Sequence, residues 1–164
     1  MTDRFLKTIR FDASDTFAFP LPAAPDEWAI SGGFAFADLE ADELTGKTRQ
    51  AFANGLLGLT SFGRTTFTAV ANITADEREH VIDRLARHLI DVYGAPDMNE
   101  ARTAAAGEIA FIDDLVKDTV INTLFCVSRS LDDDGQIVEN FRKLERRIDG
   151  GPIYLGEEEQ QNGA

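Results

Sequence analysis

Apolar and polar residues alternate from Phe5 to Phe11, with Phe5, Ile9 and Phe11 on one side and Leu6, Thr8 and Arg10 on the other. That is the period of a half-buried strand. After a turn through Asp12-Ala13-Ser14-Asp15, Phe17 and Phe19 repeat the spacing, which predicts a second short strand with both rings on one face. Pro20, Pro22 and Pro25 then break the pattern with a loop. From Glu27 to Ala37, bulky Trp28, Ile30, Phe34 and Phe36 alternate with Ala29, Ser31, Gly33, Ala35 and Ala37. The spacing predicts a strand with one crowded face and one nearly bare one, and Gly32-Gly33 is a candidate bulge within it.

Thr45 to Asn54 reads as a short helix stopped by Gly55, and the glycine-punctuated stretch from Gly55 to Gly63 as a tight connection. Thr65, Phe67, Ala69, Ala71 and Ile73 alternate as a third long strand. Thr74-Ala75-Asp76-Glu77 has the form of a capping box, in which each side chain satisfies the other's backbone donor. It opens a helix with an apolar stripe of Val81, Leu85, Leu89 and their neighbours, ended by Gly94-Ala95-Pro96. Another helix follows Asp97 and runs to about Lys117, with Ala101, Ala105, Ile109, Ile112 and Val116 turned inward.

Val120 to Leu131 is apolar on both alternate faces, as expected for a central strand, and Asp132-Asp133-Asp134-Gly135 is a turn. Beyond it Ile137, Val138, Phe141 and Leu144 satisfy a helical stripe, whereas the Asp-Gly turn favours a returning strand. Periodicity is lost from Gly150 onward. The chain therefore divides into a single domain over 1–149 and an acidic flexible tail over 150–164. The expected fold class is α+β: a mainly antiparallel sheet of about five strands, with two long helices and one short helix on one face.

Composition narrows the function. At 164 residues one domain is large enough to bury a core without disulfide or metal staples. Cys126 is the only cysteine and lies in the apolar run Ile121 to Val127, which suits a reduced, buried thiol and a cytoplasmic home. Charges interrupt every apolar stretch near the start, so neither a secretory leader nor a spanning helix is expected. With 29 acidic against 16 basic residues the net charge is −13. Such a surface repels phosphate backbones and anionic membranes; it suits a basic protein surface, or serves solubility alone.

The motifs that carry chemistry are incomplete. Gly46-Lys47-Thr48 ends like a phosphate-binding loop, but Ala41 stands where the first glycine belongs and acidic residues precede it. Ser130, Asp132, Asp134 and Gly135 match a calcium loop in part, yet Phe141 occupies the chelating glutamate position. Glu77 and His80 form half of a di-metal helix motif, and the only other histidine, His88, does not supply the second half. Cys126 has no histidine near it in sequence and no nucleophile elbow occurs. No catalytic residue, metal site or cofactor is expected. Arg129 stands out because, read as a strand residue, it shares a face with Ile121, Phe125, Val127 and Leu131. A charge there needs a partner, with Glu108 and Asp113 of the preceding helix as the candidates, or an opening in which it anchors an anionic ligand. On the second reading Arg129, Glu108 and Trp28 are the candidate ligand-binding residues.

The runs Thr8-Ile9-Arg10-Phe11-Asp12-Ala13-Ser14-Asp15-Thr16-Phe17, Glu27-Trp28-Ala29-Ile30-Ser31-Gly32-Gly33-Phe34 and Gly107-Glu108-Ile109-Ala110-Phe111 together resemble a family of small uncharacterised alphaproteobacterial proteins, a domain of unknown function. The likeness spans about residues 5 to 145. It implies a bacterial, cytoplasmic protein and carries no catalytic residue with it. The functional expectation is a noncatalytic accessory or interaction subunit of a bacterial cytoplasmic complex, engaging a protein partner or a second copy of itself, with nucleic acid and membrane excluded. The alternative is a binder of a small acidic ligand, or a modest enzyme, with a pocket between sheet and helices.

Overall fold

The computed structural model describes residues 3–145 and 154–162. In chain order the elements are β1 (Asp3–Ile9), α1 (Ser14–Ala18), β2 (Trp28–Ile30), α2 (Gly46–Asn54), β3 (Leu56–Gly58), β4 (Arg64–Thr65), β5 (Phe67–Ile73), α3 (Ala75–Tyr93), α4 (Met98–Val116), β6 (Leu124–Leu131), β7 (Ile137–Glu145) and β8 (Tyr154–Asn162). This is a mixed α+β architecture built on an antiparallel sheet.

The strongest local signals hold. Thr74 and Glu77 form the reciprocal capping box that opens α3, and Gly94, left-handed at φ +71°, closes it. The Asp97 carboxylate accepts from the Glu100 amide and opens α4. Beyond the Asp-Gly turn the chain returns as a strand, with β6 and β7 paired in register from Leu124↔Leu144 to Leu131↔Ile137.

Two expected strands are overturned. The Phe17/Phe19 segment is the helical turn α1, which leaves Phe17 74% exposed while Phe19 is buried. Its cause is polar: Asp12 accepts from the Ser14 amide to start the turn, and the buried Asp15 is pinned by the hydroxyls of Thr65 and Thr66. The strand expected over Glu27 to Ala37 ends at Ile30 and gives way to a 3-10 turn over Gly33–Phe36. Gly32 makes the break, with φ +71° and so little room that a Cβ would lie 2.5 Å from the Leu57 Cβ.

The strand order is β4-β3-β2-β1-β5-β6-β7-β8. Only Thr66 separates β4 from β5, yet they stand at opposite ends of the β4-to-β5 run, so that run curls until its ends meet. Counting this bent strand once, the sheet has seven strands rather than about five. The expected number falls short because β3 and β4 are too brief to show a period, and because β8 lies inside the segment expected to be a tail. Backbone pairing to β7 from Glu145↔Tyr154 to Val138↔Asn162 does not require apolar side chains. The main core joins Phe5, Leu6, Ile30, Val70, Leu85, Ile109, Ile112 and Phe141. A smaller cluster of Phe19, Phe36, Ala51 and Phe52 sits beside α2, with Leu44, Leu131 and Ile137 against it. Among the described residues no helix is long and apolar enough to cross a membrane.

Candidate functional site

Arg129 lies in the middle of β6, and its side chain is 0% exposed. Its cross-strand partner is Glu139 of β7, and the Arg129 Nε donates to Glu139 Oε2 at 2.7 Å. The expected partners Glu108 and Asp113 are not the ones used; Asp113 pairs with Arg78 instead. Five residues, 132–136, link Leu131 to its partner Ile137, and counting outward from them places 129 opposite 139. A two-residue Asp134-Gly135 turn would have placed Asn140 there, so the loop length decides the pair.

The rest of the guanidinium is consumed by backbone carbonyls and by the Ser31 hydroxyl, which accepts from Nη2 at 3.3 Å. Nη1 donates to the carbonyls of Phe52 at 2.8 Å and Gly55 at 2.9 Å, and Nη2 donates to the carbonyl of Ser31 at 2.5 Å. Phe52 and Gly55 belong to the C-terminal end of α2, where carbonyls lack helical partners and the helix dipole is negative, so a buried cation is well placed there. The planar fork of an arginine reaches all these acceptors together, which a lysine ammonium could not do. The Ser31 hydroxyl in turn donates to Glu139 Oε2. In a flat sheet β2 and β7 would stand four spacings apart, about 19 Å. Direct contact between Ser31 and Glu139 therefore requires the curl described above, and Arg129 holds it at its seam.

A second buried arginine, Arg64, was not anticipated. Its Nη1 donates to the Gly55 carbonyl at 3.2 Å and its Nη2 to the Gly32 carbonyl at 3.1 Å. Both guanidiniums face the Phe36 ring, with Cζ to centroid distances of 4.7 Å for Arg64 and 5.7 Å for Arg129. Among the described residues no carboxylate forms an ion pair with Arg64. Burial, then repulsion from Arg129, lowers its pKa to about 9, against a smaller opposing pull from Tyr93 and Glu139. Burial also lowers the Arg129 pKa, and Glu139 opposes it. Nothing in the local pattern around Arg64 distinguished it, since it stands at the end of a two-residue strand.

Of the expected ligand-binding residues, Glu108 comes near this cluster and Trp28 does not. Among the described residues Glu108 of α4 forms no ion pair, but burial raises its pKa, Glu139 raises it further and Arg129 opposes. Trp28 meets the Phe5 ring edge-on at 6.2 Å and lies under the Lys7 ammonium at 4.6 Å.

The other reactive groups are committed to packing. Burial pushes the Cys126 thiol up, the reverse of what activates a nucleophile. His88 is stacked on Phe62 at 3.7 Å, and burial lowers its pKa. Asp132 Oδ1 accepts from the amides of Asp134 and Gln136, so the calcium-like loop is a hydrogen-bonded turn. Among the described residues no group of three or more His, Cys, Asp or Glu is placed to hold a metal ion. An open cavity of about 570 Å³ lined by Asp3, Arg4, Arg78, Asp113, Lys117 and Asp118 sets three acids against three bases. A second cleft, of about 310 Å³, lies between α2 and the end of β6, with Arg49 and Arg129 in its lining.

Residues 2–152 match the model of a family of unknown function, DUF6505. The chain belongs to that family. Its match takes in β1 through β7 and every residue of the arginine cluster. No curated protein and no solved structure matches the chain. Membership thus extends over the whole site without assigning it a chemistry.

Proposed function

We propose that the chain is a noncatalytic interaction subunit of a bacterial cytoplasmic protein complex. The observation that carries this reading is the saturation of Arg129, whose donors are all engaged by Glu139, α2 and Ser31. An anion anchor needs at least one donor free to meet its ligand, so the arginine that would have defined a small-molecule pocket serves as a cross-link instead. The surface supports the same reading: Phe11, Phe17 and Leu21 are more than half exposed on and around α1. Large apolar residues left in water this way suit a partner's surface.

Replacement of Arg129 by Met separates the two classes. Glu139 would be left buried without its counter-ion and the α2 carbonyls without donors, so denaturant unfolding should show a loss of about 3–5 kcal/mol. Unchanged stability accompanied by loss of an acidic ligand would instead establish the pocket. Mild affinity capture of the tagged chain from its native cytoplasm, at low and high salt, tests the interaction directly. A stoichiometric, salt-sensitive partner supports the proposal, and a monomer with no partner at either salt ends it.

A further inference from the structure

The sheet grows outward from β5 through β6 and β7, and β8 ends it. Without β8, the nine residues of β7 would present an unpaired row of backbone amides and carbonyls. β8 itself is weakly specified as a strand. Tyr154 and Leu155 open it, but Gly156-Glu157-Glu158-Glu159-Gln160-Gln161-Asn162 follows, a polar run in which Gly, Glu and Asn are depleted in strands generally. The register slips between Arg142 and Leu144, which interrupts the pairing. Backbone pairing holds β8 in place, helped by a charge match, because Glu158 stands directly across from Arg142. β7 lies within the residues that match the family, whereas β8 begins beyond residue 152, where that match ends.

Resting on the interaction reading, we infer that β7 is a strand-accepting edge and β8 its detachable guard. The partner protein inserts an extended segment in place of β8, with a carboxylate at the position across from Arg142. Backbone pairing recognises any extended chain, and selectivity comes from the side chains at alternate positions. β7 carries Arg142 and Lys143 side by side, so an acidic strand is the occupant that fits, and β8 is itself an example of that chemistry. A basic strand would set like charges opposite each other, which is destabilising. Tethered beside the edge, β8 competes at an effective concentration on the order of millimolar. Only a segment richer in strand-forming residues displaces it, which keeps the edge closed to casual pairing. The edge is preformed. Phe141 is buried in the main core and Glu139 is held by Arg129, so β7 keeps its shape when β8 leaves.

The test uses the full chain and a fluorescent peptide with the sequence of Tyr154–Asn162, read by anisotropy. In the variant Glu159→Pro, Gln160→Pro, adjacent prolines remove whichever of the two amides faces β7 and so detach β8. This opened variant should bind the peptide at least about tenfold more tightly than the natural chain, whose edge is occupied. The same peptide carrying the two prolines should bind neither chain. Adding Arg142→Glu to the opened variant should weaken the peptide about five- to tenfold, and a peptide carrying Glu158→Arg should recover the loss. Equal binding by the natural and opened chains, or binding of the proline peptide, would overturn the inference. Hydrogen exchange on the natural chain gives an independent reading: the amides of β8 should exchange at least about tenfold faster than those pairing β6 with β7. Equal protection of the two pairings would overturn the detachable guard. A native partner that binds the natural and opened chains equally overturns the edge as its site while leaving the interaction reading intact.

Discussion

Gly33 shows how tightly the arginine cluster is drawn. A Cβ at this position would lie 2.5 Å from Glu139 Oε2 and 3.4 Å from Arg129 Nε. The carboxylate cannot retreat, because Arg129 and the Ser31 hydroxyl hold the same oxygen. Gly33→Ala should therefore lower stability by about 1–3 kcal/mol in chemical denaturation, the cost of overpacking a rigid site. Gly107, on the exposed face of α4, has nothing within 4 Å of where a Cβ would stand and should respond oppositely. Gly107→Ala should gain about 0.5–1 kcal/mol from helix propensity and reduced unfolded-state freedom. Equal behaviour of the two variants would contradict the view that glycine at 33 serves close approach. The sequence showed a small-residue stripe at these positions, but not that Gly33 abuts an ion pair, because the pair comes from strands a hundred residues away.

At the scale of elements, local chemistry decided α3, α4 and the β6–β7 hairpin. The Thr74 hydroxyl accepts from the Glu77 amide, and the Thr74 amide donates to the Glu77 carboxylate. Thr74→Ala should cost about 1 kcal/mol and lower the thermal midpoint without changing the fold's far-UV signature. An unchanged midpoint would mean the α3 N-terminus frays in the native state. The misread elements share a cause. Phe17 and Phe34 carry the right residue type at the right spacing for strands, but polar contacts at Asp12 and Asp15 and the left-handed Gly32 set the backbone before the apolar pattern could act. Spacing of two residues over a short run is weak evidence when a turn-forming residue lies inside it.

For the whole molecule, Glu27 ties the start of β2 to the β3–β4 hairpin and sets a pH dependence. Burial disfavours its ionised form, but the amides of Ser61, Thr60 and Ala24 and the Ser61 hydroxyl outweigh that and hold the folded pKa below the ordinary value of 4.5. The folded state therefore binds this proton less readily than the unfolded chain. Its stabilisation is fully present above about pH 4.5 and is lost as pH falls through the depressed folded value. Glu27→Gln should reduce stability at neutral pH and flatten the acid limb of the stability profile, measured by denaturant midpoints between pH 7 and pH 3 (a range of roughly four decades in proton activity). An acid limb as steep as that of the natural chain would assign the dependence to other carboxylates.

The sequence by itself determined α2, α3 and α4, the caps of α3 and α4, the central strand and the returning hairpin, because hydrophobic period and capping chemistry act over a few residues. It also singled out Arg129 as a charge in an apolar strand that had to be satisfied. Only the tertiary structure decided how. The curl of the sheet brings Ser31 beside Glu139 and the end of α2 beside Arg129, and this depends on a strand that bends at Thr66 and on glycines that allow close approach. Such closure is set by which distant surfaces bury each other best. No local pattern encodes it, and for the same reason the second arginine became visible only in the fold.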